Sequence, residues 1–172
     1  LCQDDSGKLW IGTQNKGLDC LDPVSGQFTN FARSASQAGG TGSNTITSIG
    51  LDATGTLWIA SAGGGVSRMD PRSSTFHNVQ DPLAQPGDLH ISRLYIDKSG
   101  VLWMVRGEGK LGRLDTASGK ILDDDFPELR DLKVTTICED QAGDLWIGTY
   151  GNGVLLLDKD SGKFATRTCD LP

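Results

Sequence analysis

Apolar residues fall along this chain in short runs, among them Leu9-Trp10-Ile11, Leu57-Trp58-Ile59, Leu102-Trp103-Met104 and Leu145-Trp146-Ile147. Polar turn residues separate the runs. Turn signals roughly every 8 to 12 residues between short β-branched or aromatic stretches predict an all-β chain. No 3.6-residue periodicity appears, so helices and helical solenoids are excluded.

The runs recur with a period. The four tryptophans, Trp10, Trp58, Trp103 and Trp146, stand 48, 45 and 43 residues apart. Each closes the phrase Asp-x-x-Gly-x-Leu-Trp-Φ, with Φ apolar, which begins at Asp4, Asp52, Asp97 and Asp140 and holds Gly7, Gly55, Gly100 and Gly143. Self-similarity at this period marks a repeat architecture. Each repeat reads as four strands. The first is β-branched, as in residues 45–49, 91–96 and 134–138. The Asp-x-x-Gly element is then a hairpin turn, whose aspartate accepts backbone N–H groups and whose glycine supplies φ > 0. The Leu-Trp strand follows, its large ring calling for a neighbouring sheet to cover it. After a second turn, glycine-rich in Gly63-Gly64-Gly65 and Gly151-Asn152-Gly153, a third strand ends at Leu21-Asp22, Met69-Asp70, Leu114-Asp115 or Leu157-Asp158. A last turn leads to a fourth strand bearing Phe28, Phe76, Ile121 or Phe164.

Four antiparallel strands in such a repeat make one β-propeller blade. The expected blades are residues 1–31, with its first strand truncated, then 44–79, 89–122 and 133–167, all in one propeller segment covering 1–172. Because the chain starts inside a repeat, it reads as part of a larger ring. An open arc would leave apolar faces on its end blades. It is therefore expected to pair with another copy, to aggregate, or to be joined by the remaining blades.

Composition refines this picture in two places. Glycine numbers 23 of 172 residues, in keeping with many tight turns, and a net charge of −6 without a basic cluster argues against nucleic-acid binding. No apolar run is long enough to cross a membrane as a helix. Cys2, Cys20, Cys138 and Cys169 show no metal-ligand spacing and read as unpaired, small buried hydrophobes.

The stretch from Ile137 to Thr149, Ile-Cys-Glu-Asp-Gln-Ala-Gly-Asp-Leu-Trp-Ile-Gly-Thr, resembles the two-component regulator propeller repeat. Its continuation through Gly151-Asn152-Gly153-Val154, Leu157-Asp158, Ser161-Gly162 and Phe164 fits as well. Residues 7–28 and 143–164 agree at 12 of 22 positions, so the likeness spans the chain. The resemblance implies a periplasmic or otherwise extracytoplasmic sensor of the hybrid histidine kinase or diguanylate cyclase type, in some cases detecting oligosaccharides. The resemblance also implies a ring of seven or eight blades, and kinase or cyclase activity would reside in an output domain other than this segment.

Sameness and difference between repeats separate scaffold from site. The four tryptophans, aspartates and glycines recur in every blade and read as structural. The third repeat departs from the others, with Met104-Val105-Arg106 and Glu108-Gly109-Lys110 replacing the Gly-Thr and glycine turn. Inter-blade loops and the turns between second and third strands share one end, and variable loops on a fixed scaffold carry specificity. Candidate ligand residues there are Asp88, His90, Arg106, Glu108 and Lys110, with Arg130 and Lys133 nearby. Arginine offers a planar fork for carboxylate or sulfate; a solvated turn with weak ion pairing is the plainer reading. Asp123-Asp124-Asp125 lacks the alternating spacing of a calcium loop and reads as a solvated acidic loop. No catalytic residue, metal or cofactor is expected, since His77 and His90 lie on different strands and no nucleophile–base set emerges. The alternatives to a sensor are a protein-docking propeller without a small ligand and a propeller enzyme resembling the streptogramin lyases.

Overall fold

The structure is a computed structural model that describes residues 1–33, 41–79, 90–122, 126–159 and 161–167. Sixteen strands are described: β1 Cys2–Gln3, β2 Leu9–Gly12, β3 Leu18–Leu21, β4 Phe28–Phe31, β5 Ile46–Leu51, β6 Leu57–Ser61, β7 Gly65–Asp70, β8 Thr75–Asn78, β9 Ile91–Ile96, β10 Val101–Arg106, β11 Leu111–Asp115, β12 Lys120–Leu122, β13 Val134–Glu139, β14 Leu145–Thr149, β15 Val154–Asp158 and β16 Lys163–Arg167. They form four antiparallel sheets of four strands, each taken in chain order. These sheets are blades 1 to 4. Among the described residues, helix is confined to single 3₁₀ turns at Gly107–Gly109 and Pro127–Leu129.

Side-chain alternation gives each blade two apolar faces. The tryptophan face of blade 1 carries Trp10, Leu18 and Cys20, which pack against Leu57, Ile59, Met69 and Phe76 on the leucine face of blade 2. Trp58, Ala60 and Val66 of blade 2 meet Leu94, Leu102, Met104 and Leu114 of blade 3. Trp103 and Val105 of blade 3 meet Ile137, Leu145, Ile147, Leu155 and Leu157 of blade 4. One joint is thus made three times. At about 25 cal/mol per Å² of buried apolar surface, such face-to-face burial dominates the stability of the arc.

Blade edges vary the theme. Phe31 bridges Trp10 and Phe76 with ring centroids 5.7 and 5.8 Å away. In blade 3 the Arg113 guanidinium lies over Trp103 and Phe126, at 5.2 and 5.4 Å from their ring centroids. That cation–π stack completes a face where blade 1 uses Cys20.

The expectation of buried cysteines is corrected at one position. Cys20 is buried and Cys2 half-buried, but Cys138 is exposed; all three are free thiols. Cys138 shares a register pair with Trp146 on the tryptophan face of blade 4, which no further blade covers among the described residues. Cys169 and Asp123 to Asp125 lie outside the described residues.

Candidate functional site

The repeated turn has a more specific construction than a hairpin alone. In blade 1, Asp4 Oδ1 accepts the amides of Ser6 and Lys8, and Oδ2 accepts the indole Nε1–H of Trp10 at 2.8 Å. The same indole bond joins Trp58 to Asp52, Trp103 to Asp97 and Trp146 to Asp140, at 2.7, 2.9 and 2.8 Å. Gly7, Gly55, Gly100 and Gly143 all take φ between 81° and 97° there, a conformation that penalises any Cβ. One carboxylate therefore ties the turn to the buried ring. Desolvation raises the Asp4 and Asp52 carboxyls, yet the bonds they accept outweigh it and leave both below the usual range. Asp140 is lowered chiefly by the Trp146 indole. These aspartates are occupied in building blades.

The opposite end holds the turns between second and third strands. In blade 3 this turn is Arg106 to Lys110, closed by the Arg106 amide donating to the Lys110 carbonyl at 2.7 Å. Glu108 sits at its apex with φ 61° and ψ 13°, left-handed backbone. The corresponding apex is Gly63 (φ 70°) in blade 2 and Gly151 (φ 84°) in blade 4. A side chain at such an angle costs roughly 1–2 kcal/mol, and blade 3 alone accepts that cost, for an exposed carboxylate.

The turn touches both neighbouring first strands. A Cβ on Gly109 would stand 2.7 Å from Lys133 Cα, and one on Gly107 4.0 Å from the His90 carbonyl oxygen. Arg106 lies flat across β11, where a Cβ on Gly112 would be 2.5 Å from its Nε. Gly112 replaces Asp19, Ser67 and Leu155 of the other blades and makes the seat. The structure thus gathers His90, Arg106, Glu108, Lys110 and Lys133 on one rim, with His90, Glu108, Lys110 and Lys133 exposed. Arg130 is exposed at the end of the 3₁₀ turn Pro127–Leu129. Asp88 lies outside the described residues, and His77 is exposed on β8.

Sequence reasoning missed three elements of this rim. The register of β5, β9 and β13 shifts near its start, placing two polar residues between apolar ones: Thr47-Ser48, Ser92-Arg93 and Thr135-Thr136. These bulges expose Arg93 beside Val105 at the rim, together with Ser92, Thr135 and Thr136. The signal was present, because apolar residues three apart in an otherwise two-residue alternation mark a bulge.

A concavity lies at the opposite, Asp-x-x-Gly end, between blades 1 and 2. This cleft of ≈ 720 Å³ is lined by Asp4, Asp5, Ser6, Asp52, Asp70 and Arg72, among others. Its principal carboxylates, Asp4 and Asp52, are the ones that hold turns. Between blades 3 and 4 the matching space is filled by Lys159, whose Nζ reaches Asp97 Oδ2 at 3.0 Å and Glu139 Oε1 at 3.4 Å. Blade 2 has Pro71 at the position of Lys159, and its ring cannot reach across to Asp4 as Lys159 reaches Asp97. Among the described residues no group of three or more His, Cys, Asp or Glu is placed to hold a metal ion, and no helix is long and apolar enough to cross a membrane.

Residues 128–151 match the two component regulator propeller family. No curated protein sequence matches the chain. Among solved structures, one similar fold is the extracellular domain described as that of a hybrid two component system of B. thetaiotaomicron, with TM-score 0.75 and 22% identity over 92% of this chain and 21% of that one. A second, described as the extracellular domain of a one component system of the same organism, has TM-score 0.76 and 20% identity over 96% of this chain and 23% of its own. A catalytically inactive virginiamycin B lyase from Staphylococcus aureus, solved with quinupristin, has TM-score 0.76 and 16% identity over all of this chain and 55% of its own. The chain is a β-propeller segment, and it spans about a fifth of the length of the first two domains.

Proposed function

We propose that this chain is the ligand-reading part of an extracytoplasmic sensor propeller in a bacterial two-component signalling protein, and that it takes a polar oligosaccharide at the rim of blade 3. The observation that carries the reading is Glu108, a carboxylate held in left-handed backbone where the flanking blades use glycine. Left-handed backbone off glycine occurs twice among the described residues, at Ser74 in blade 2 and at Glu108, and of the two only Glu108 stands beside Lys110 and Lys133, where strain at an exposed carboxylate supports a binding role. The sensor role draws on the family match at residues 128–151 and on the extracellular propellers of like fold.

The rim's chemistry suits a sugar. Glu108 accepts hydroxyl hydrogens, while Arg93, Lys110 and Lys133 donate to ring oxygens or to the carboxylate of a uronic acid. The ligand would lie across the first strands of blades 3 and 4, where Thr136 is exposed and the Ser92 and Thr135 hydroxyls, which donate to the Val105 and Gly148 carbonyls, can still accept. The rim is assigned binding and no chemistry, and kinase or cyclase output belongs to other domains.

Thermal unfolding with neutral and uronic-acid oligosaccharides tests this directly. The unsubstituted chain should gain several degrees with at least one glycan. Glu108→Gly should unfold a few degrees higher than the parent without ligand, since relief of about 1 kcal/mol moves Tm by that much in a domain this size. The same variant should lose the glycan response. An unchanged melting curve with every glycan, beside tight binding of a protein partner, would instead mark a docking scaffold. Consumption of the added glycan would mark an enzyme.

A further inference from the structure

Where two blades meet, their Asp-x-x-Gly turns stand side by side, and the charges there differ from joint to joint. Between blades 3 and 4 the positions that meet are Asp97, Lys98, Glu139, Asp140 and Lys159, three acids and two lysines. Both lysines are engaged within the chain. Lys159 Nζ lies 3.0 Å from Asp97 Oδ2, and Lys98 Nζ donates to the Asp140 carbonyl at 2.7 Å. Asp97 Oδ2 thus accepts two bonds, one from this ammonium and one from the Trp103 indole, and Asp97 is buried.

The matched positions between blades 1 and 2 are Asp4, Asp5, Leu51, Asp52 and Pro71, three acids and no base. Asp4 Oδ2 accepts the Trp10 indole alone, and Asp4 is only half-buried. A carboxylate oxygen has two acceptor sites, so this one keeps a site for a second donor. Asp5 replaces Lys98 and leans on the turn of blade 2, where a Cβ on Gly55 would be 3.9 Å from its Oδ2. Its exposed carboxylate makes no ion pair among the described residues. Lys8 and Arg72 also line the cleft, and neither is paired with these acids among the described residues. The cleft's ≈ 720 Å³ falls within the roughly 300–1,000 Å³ of small-molecule sites.

We propose that the cleft between blades 1 and 2 binds an alkylammonium group, which sits on Asp4 Oδ2 as the Lys159 ammonium sits on Asp97 Oδ2. A cluster of acids alone names no ligand, but a second copy of the same carboxylate with its cation in place does. The bond is charge-assisted, the stronger kind of hydrogen bond. Leu51 and Pro71, in place of Glu139 and Lys159, give the ligand's methylene stem an apolar wall. The site lies at the end away from Glu108 and is independent of what that rim binds.

Calorimetric titration of the chain with cadaverine, and with a blocked tripeptide carrying a central lysine, tests the site. At least one probe should bind, and added salt should weaken it. Tighter binding of cadaverine would assign the site to a free amine, and tighter binding of the peptide to a lysine of a protein partner. Pro71→Lys supplies blade 2 with its own ammonium, so it should weaken the probe by about tenfold or more. The same variant should unfold at a higher temperature than the parent. Pro71→Met removes the ring without adding charge and should bind as the parent does. Failure of both probes to bind would overturn the proposal. So would unchanged binding in Pro71→Lys, an equal loss in Pro71→Met, or equal binding of uncharged pentanediol.

Discussion

Asp97 has the most heavily bonded carboxylate of the four turns. Burial opposes its ionisation, but Ser99, the Trp103 indole, the Lys159 ammonium and the Val101 amide together hold its carboxyl at about 2. Lys159 moves the other way: desolvation lowers it, yet Asp97 and Glu139 raise it above its ordinary value. An aspartate with a depressed folded pKa stabilises above its unfolded pKa, and that contribution is lost as pH falls from about 4 to about 2. The contribution is on the order of 2 kcal/mol at neutral pH. Denaturant titrations between pH 2 and 6 should show this acid loss in the parent chain. The loss should be much smaller in Asp97→Asn, which is also the less stable protein at pH 6. A variant with an undiminished acid slope would mean that other carboxylates dominate. The tie between Asp97 and Trp103 was half legible, since the fixed spacing of six is printed in every repeat. Its donor is an indole proton, which the apolar pattern of the sequence hides.

At the scale of elements, strand order and blade membership could be read because each strand is short, bounded by glycine or aspartate turns, and repeated. The bulges near the start of β5, β9 and β13 could not be read from β-propensity, which ignores register. Arg93 was overlooked for that reason. The burial of Cys138 was misjudged because a cysteine in a strand is ordinarily covered, whereas Cys138 lies on a face of blade 4 that no described residue covers. Glycine acts through two separable effects in the second-to-third strand turns. Gly109 has φ 82° and backs onto Lys133, while Gly151 has φ 84° and open space around it. Alanine at 151 should therefore cost only about 1 kcal/mol, the left-handed penalty. Alanine at 109 should cost at least twice that, because the first strand of blade 4 must move. Chemical denaturation of the two variants reads the difference. Equal losses would show that the turn of blade 3 does not brace blade 4.

For the molecule as a whole, repetition and departure from it divide the labour. Four copies of Asp, Gly and Trp build blades, and three identical joints fasten them. The end bearing His90, Arg106, Glu108 and Lys110 stands out in the sequence by a single cue, the oddness of the third repeat. Its geometry was not legible, because the left-handed angle at Glu108 and the Gly112 seat for Arg106 exist only in the folded chain. Amide hydrogen exchange, with and without a saturating uronic-acid oligosaccharide, tests most directly whether function lies where the repeats differ. The account predicts slowed exchange confined to residues 90–93, 106–112 and 130–136. Slowing instead at the Asp-x-x-Gly turns around Asp4, Asp52 and Arg72, or no slowing anywhere, would contradict it.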